Sequence, residues 1–203
     1  RTGALTPVAV MEPVKVGGVS ITNATLHNQD EIDRKDIRIG DTVIVQRAGD
    51  VIPEIVRVDF SKRPAKSTPF IIPNRCPTCD TLAVKSDNEA ILRCPNSFCS
   101  SKIKGALQHF ISRRAMNIDG LGEKLIEMLV DKKIVEKFSD LYHLDFETIS
   151  SLERQGSKSA QNLLESIEQS KNTTLAKFVY SFGIRFVGEQ TAKSLARHFG
   201  SIE

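Results

Sequence analysis

Apolar and polar side chains alternate along residues 7–58 and then, beyond residue 102, apolar positions recur at helical spacing, so the chain passes from strand-forming to helix-forming sequence. In residues 7–16 and 19–26 the alternating apolar positions are Val8, Val10, Val14, Val16, Val19 and Ile21, with the hairpin signal Gly17-Gly18 between them. A short polar helix is predicted near Gln29 to Lys35. Ile39-Gly40-Asp41 then turns into a strand at 42–47, and Gly49-Asp50 leads into another at 51–58. Past residue 102 a glycine-bearing turn recurs at Gly122, Gly156 and Gly188, 34 and 32 residues apart. Leu125, Ile126, Leu129 and Val130 follow the first, Ala160, Leu163, Leu164 and Ile167 the second, and Ala192, Leu195 and Ala196 the third. Each set lies on one face of a helix.

The strand set suits a five-stranded barrel of the oligonucleotide-binding (OB) kind, which closes most of its edges and leaves a curved face and loops for nucleic acid or sugar. Period alone fits other small barrels equally. Arg47-Ala48-Gly49-Asp50-Val51-Ile52-Pro53 reads in two ways: as a charged strand end followed by core positions, which the pattern favours, or as a cation and apolar wedges suited to a minor groove. Residues 61–69 are polar and Pro-bearing, as a linker is. The three glycine turns read as helix-hairpin-helix units. The first N–H groups of a helix lack intrahelical acceptors and carry the positive end of the dipole, and glycine lets a phosphate come close. Several such ends on one surface would hold a sugar-phosphate backbone without reading bases, and Lys124, Lys158, Arg185 and Arg113-Arg114 add charge nearby. The other reading is a helical bundle whose glycines only make tight loops.

Between these regions stand the chain's four cysteines, as Cys76-Pro-Thr-Cys79 and Cys94-Pro-Asn-Ser-Phe-Cys99. Paired thiols at this spacing fit tetrahedral zinc, and four thiolates leave no open position, so the expected ion is structural. Two disulfides or four unrelated buried thiols are the other readings. The segment is too small for a useful apolar core, so the metal would supply on the order of 10 kcal/mol of its folding free energy.

The 203 residues, 26% charged and 40% hydrophobic, have the composition of a globular protein with room for one large or two ordinary domains and a small module. A net charge of +3 is too mild to establish a nucleic-acid partner unaided. No apolar run is long enough to span a bilayer and no secretory pattern opens the chain, so a reducing, cytoplasmic location is expected. His27, His109, His143 and His198 are scattered, and neither a catalytic triad nor a carboxylate cluster for Mg²⁺ is visible. Both ends look cut, as in an internal piece of a longer protein.

The order of barrel, four-cysteine module and tandem hairpins, together with Arg1-Thr2-Gly3-Ala4-Leu5-Thr6-Pro7-Val8-Ala9, Asn23-Ala24-Thr25-Leu26-His27-Asn28, Arg47 to Pro53, the cysteine spacing and Lys158-Ser159-Ala160-Gln161-Asn162, resembles the bacterial NAD⁺-dependent DNA ligases over the whole chain. The resemblance implies a multidomain α+β fold: an OB-fold β-barrel over 1–69, a four-cysteine zinc-finger module over 70–101 and an all-α tandem helix-hairpin-helix domain over 102–203. It implies that Cys76, Cys79, Cys94 and Cys99 hold Zn²⁺. It also implies that Arg1, Thr2, Arg47, Val51 and Ile52 line the DNA-facing side of the barrel, reversing the strand-and-core reading of 47–52. Arg113, Gly122, Gly156 and Gly188 would belong to a phosphate-gripping surface.

Arg154-Gln155-Gly156 departs from the Gly-x-Gly pattern, keeping the second glycine and replacing the first with Arg154. The family's nucleophile lies in a Lys-x-Asp-Gly motif, whereas this chain offers only Asn117-Ile118-Asp119-Gly120. The expected catalytic residues, NAD⁺ and Mg²⁺ therefore belong to another domain, and this piece would be a monomer that holds nicked duplex DNA irrespective of sequence, with no membrane partner. The alternatives are a non-catalytic helix-hairpin-helix module of another repair or recombination protein, and a zinc-stabilised protein-interaction scaffold.

Overall fold

A computed structural model describes residues 1–48, 52–86, 89–152 and 156–202 of the chain. The chain divides into two compact units, one of Gly3–Pro95 and one of Asn96–Glu203 together with Arg1–Thr2. Among the described residues no helix is long and apolar enough to cross a membrane.

The first unit is β-rich. Its elements are β1 (Val8–Val16), β2 (Val19–Thr25), α1 (Gln29–Lys35), β3 (Val43–Ala48) and β4 (Ile52–Val58), and the sheet order is β1-β2-β4-β3. Gly17 and Gly18 both take positive φ, 57° and 80°, the turn whose twist matches an antiparallel hairpin. β2 meets β4 in parallel only at Thr25 and Glu54, so the sheet curls between two antiparallel ribbons. α1 is capped at its start by Asn28, whose Oδ1 accepts from Glu31 N at 2.9 Å, and it carries acids in its first turn and bases in its last, in accord with its dipole. Ala24, Leu26, Ile32, Ile37, Ile55 and Val58 form the core.

Two expectations change here. Where the alternation suits five strands, four are formed among the described residues. The following segment forms an isolated bridge, Arg38–Pro69, outside the sheet and sends Phe70 and Ile72 onto the core, because the prolines at 64, 69 and 73 remove backbone donors that a ladder needs. The phase of β1 is also reversed: Val10 is 84% exposed, while Ala9 and Met11 pack on the core. Both faces of Val8-Ala9-Val10-Met11 are apolar, so alternation could not say which one points inward.

The second unit is helical: α2 (Ser100–Ile111), α3 (Glu123–Asp131), a 3₁₀ turn at Phe138–His143, α4 (Phe146–Ser150), α5 (Ser157–Ser170), α6 (Leu175–Ser181) and α7 (Glu189–Phe199). The apolar faces read from sequence on α3 and α5 are buried, with Leu164 half-buried, whereas on α7 Ala192 is buried and Leu195 and Ala196 are half-buried. Leu125, Ile126, Leu129 and Val130 of α3 join Leu107 and Phe110 of α2 and Ala160, Leu163 and Ile167 of α5 in one core. Phe110 stacks on Phe138 with centroids 4.5 Å apart, which ties the 3₁₀ turn to α2.

Candidate nucleic-acid interface and metal centre

Each glycine of the repeat is the residue immediately before a helix. Gly122, Gly156 and Gly188 precede α3, α5 and α7 with extended backbones, φ −74°, −86° and −86°, and their carbonyls accept the first helical bonds, from Ile126, Ala160 and Ala192. The amides of each first turn therefore have no intrahelical acceptor. Among the described residues nothing lies within 4 Å of where a Cβ would stand at any of the three, so the approach to these helix ends is open. Arg113, Lys124, Lys158 and Arg185 are exposed around them.

The first and third turns share a backbone signature. Five and two residues before the glycine, Asn117 and Gly120 have φ 54° and 88°, and Gly183 and Phe186 have φ 60° and 65°. Sequence reading missed this repetition, because Phe186 gives no hint of a left-handed conformation. At Gly120 a Cβ would stand 3.6 Å from Leu163 of α5, and Asp119 N donates to Ser166 Oγ at 2.8 Å, so the first turn is seated on the second hairpin's helix. Ser151, five residues before Gly156, is in the ordinary helical region at φ −74°, and Arg154 and Gln155 fall outside the described residues. Arg114 Nη1 meets Glu189 Oε1 at 3.2 Å, linking the first hairpin to the opening turn of α7.

The structure places the remaining sequence-derived residues as follows. Arg1 and Thr2 are exposed and belong to the helical unit. A Cβ at Gly105, in the middle of α2, would stand 2.6 Å from Arg1 N, and one at Gly183 would stand 3.2 Å from Arg1 Nη1 and 3.0 Å from His109 Cδ2. His109 Nε2 donates to Tyr180 O at 2.8 Å, satisfying a carbonyl at the end of α6. A glycine inside a helix costs about 1 kcal/mol against alanine, and that penalty was the available signal that something lies close to Gly105. In the β-rich unit Arg47 pairs with Pro53 in the β3–β4 ladder, its side chain and all of Val51 lying outside the described residues, and Ile52 is 54% exposed.

The four cysteines come together. The Sγ atoms of Cys76, Cys79, Cys94 and Cys99 all lie within 4.8 Å of one another. Cys79 and Cys94 are 3.5 Å apart, far beyond a disulfide bond of about 2.05 Å. A tetrahedral ion with Zn–S distances of about 2.3 Å needs sulfurs ~3.8 Å apart, so the cluster has the donor chemistry and the size for zinc. The first pair sits on a tight turn: Cys76 N donates to Thr81 O and Asp80 N to Cys76 O, both at 2.9 Å. Backbone N–H groups of Thr78 and Cys79 directed at the sulfur hold the Cys76 thiol below its ordinary pKa, which favours the thiolate that a metal requires. Reciprocal bonds between Val84 and Arg93 at 2.8 Å, and Cys94 N donating to Gly3 O at 2.8 Å, fix the approach to the second pair.

A curled β unit, a four-thiolate centre and repeated hairpins with open helix ends define a multidomain protein of the OB, four-cysteine zinc-finger and helix-hairpin-helix class. Residues 1–67 match the NAD-dependent DNA ligase OB-fold domain, 75–100 the NAD-dependent DNA ligase C4 zinc finger domain and 177–203 the helix-hairpin-helix motif. Its first two domains are thus similar to the OB-fold and C4 zinc-finger domains of NAD-dependent DNA ligases. It is 64% identical over 204 residues to a protein named DNA ligase from Bdellovibrio bacteriovorus, and the match covers 100% of this chain and 30% of that relative's length.

Proposed function

We propose that this chain is the DNA-holding part of a ligase that joins 5′-phosphate and 3′-hydroxyl at a nick in duplex DNA during replication and repair. The observation that carries the reading is the recurrence of an open glycine before α3, α5 and α7, three anion-receptive helix ends in one chain. In this reading Gly122, Gly156 and Gly188, with Arg113, hold backbone phosphates, while Arg1, Thr2, Arg47, Val51 and Ile52 add contacts to the duplex. Binding is independent of sequence because amides and cations meet phosphates rather than base edges. The working parts are an OB domain over 1–69, a zinc module over 70–101 and a hairpin domain over 102–203, acting as a monomer. Cys76, Cys79, Cys94 and Cys99 hold zinc with a structural role, and thiols kept for a metal suit a reducing compartment such as the cytoplasm.

NAD⁺ would supply the adenylate and Mg²⁺ would assist at a nucleotidyltransferase domain elsewhere in the protein, since Asn117-Ile118-Asp119-Gly120 has no amine where the family's motif has lysine. The contribution of this chain is then orientation of the nick. Fluorescence anisotropy with a nicked duplex across a potassium chloride series tests it. Parent protein should bind with log K falling by about 0.9 per phosphate neutralised, and Gly122→Asp, which puts a carboxylate at an anion seat, should bind more weakly at every salt concentration. Absence of binding by the parent at low salt overturns the reading, and equal affinity of parent and variant removes Gly122 from the interface.

A further inference from the structure

A cavity of about 470 Å³ in the helical unit is bordered by Arg1, Lys102 and Lys137, with Glu136 as its one acid and the rings of Phe138 and Phe182 among its apolar lining. Lys137 Nζ also stands 4.0 Å from Asp140 Oδ1, so three cations face two acids and the hollow keeps an excess of positive charge that an anion can meet. We propose that this cavity is a further phosphate seat for the duplex, holding a phosphodiester group between Arg1, Lys102 and Lys137 with the adjoining deoxyribose against Phe138 and Phe182. The proposal rests on the DNA-binding reading and adds a contact that uses side-chain charge instead of helix-end amides.

The hollow is built rather than incidental. Gly105 interrupts α2 with a residue that weakens a helix, and the space left by its missing side chain is where the Arg1 backbone lies, with Arg1 N 2.6 Å from the position a Cβ would take. Gly183, at φ 60°, makes room in the same way for the Arg1 side chain, whose Cδ and Nη1 come within 3.3 Å of the equivalent point. Two glycines thus seat one arginine. On the opposite wall the Glu136 and Lys137 amides both donate to Asp140 Oδ2 at 3.0 Å, which fixes the backbone that carries Lys137. Phe138 is held by Phe110 and meets Phe182 edge-on at 5.9 Å, so the lining is an extension of the core.

The test measures salt-dependent binding of a nicked duplex by parent, Lys102→Gln/Lys137→Gln and Gly105→Ala proteins, with Gly188→Asp as a reference. The double variant should lose about 0.9 from the log–log salt slope, the share of one phosphate, and bind about tenfold more weakly at fixed salt. Gly105→Ala, whose Cβ would stand 2.6 Å from Arg1 N and so must displace Arg1, should show the same loss, and the double lysine variant, which makes no such clash, gives the reading free of any change in folding. Unchanged slope and affinity in both variants, with Gly188→Asp impaired, would overturn the seat and leave the hairpin interface standing. A parent that does not bind at all would overturn the DNA reading itself, and the seat with it.

Discussion

Asp41 has a side chain only 1% exposed and remains charged. Burial pushes its carboxyl up, but the Arg63 guanidinium and the Arg38 amide outweigh that and hold it below its ordinary value. Arg63 grips it through both arms, Nε to Oδ1 at 2.9 Å and Nη2 to Oδ2 at 2.8 Å, and reaches Asp36 with Nη1. A carboxylate depressed in the folded state contributes stability that is complete above its unfolded pKa of about 3.9 and is lost as pH falls through the lower folded value. Arg63→Met should therefore lower the urea midpoint of the β-rich unit at pH 7, with a gap to the parent that narrows as the pH approaches 3. Equal midpoints at pH 7 would show that this pair does not hold the fold. None of this was legible from sequence, because Asp36, Asp41 and Arg63 come from separate turns and read only as ordinary surface charge. The cysteines were legible, since their chemistry demands a fixed spacing that strand or helix patterns do not impose.

Helical faces were readable because α3 and α5 set apolar residues against polar ones over two or more turns, and the buried residues are the ones the spacing selects. Strand phase was not, since β1 has apolar side chains on both faces. The hairpin turns lie between these cases: glycine marked where the helices begin, but not the left-handed positions at Asn117 and Phe186. That pairing of the first and third turns makes opposite expectations for formally similar changes. Gly120→Ala places a Cβ at φ 88° and 3.6 Å from Leu163, and should cost about 1–2 kcal/mol in denaturant unfolding of the helical unit. Phe186→Gly relieves a left-handed aromatic at the cost of an exposed ring stacked on Arg185, and should not lower stability. A stable Gly120→Ala protein would mean that the turn can flip to another backbone conformation, and the shared signature would then carry no constraint.

At the scale of the whole molecule the two units have separate cores, one around Ile32 and Ile55 and one around Leu129 and Leu163, so loss of order in one does not by itself remove the apolar burial of the other. The cysteine segment has no comparable core: apart from the thiols, Ala83 is its buried apolar side chain among the described residues. Four thiolates at the separations found here would repel one another without a cation, so if the cluster holds zinc, an affinity worth on the order of 10 kcal/mol would decide whether residues 74–99 are folded. Chelation of the purified protein, followed by hydrogen exchange, should release zinc and leave the amides of Cys76, Ala83, Val84, Arg93 and Cys94 exchanging at unfolded rates. Amides of α3 and α5 should keep their protection, because their burial does not involve the thiols. Cys76→Ser should reproduce the pattern without chelator. Retained protection across 74–99 after complete removal of metal would show that backbone bonds alone hold the segment, and uniform loss across both units would show that the ion governs the fold of the whole chain.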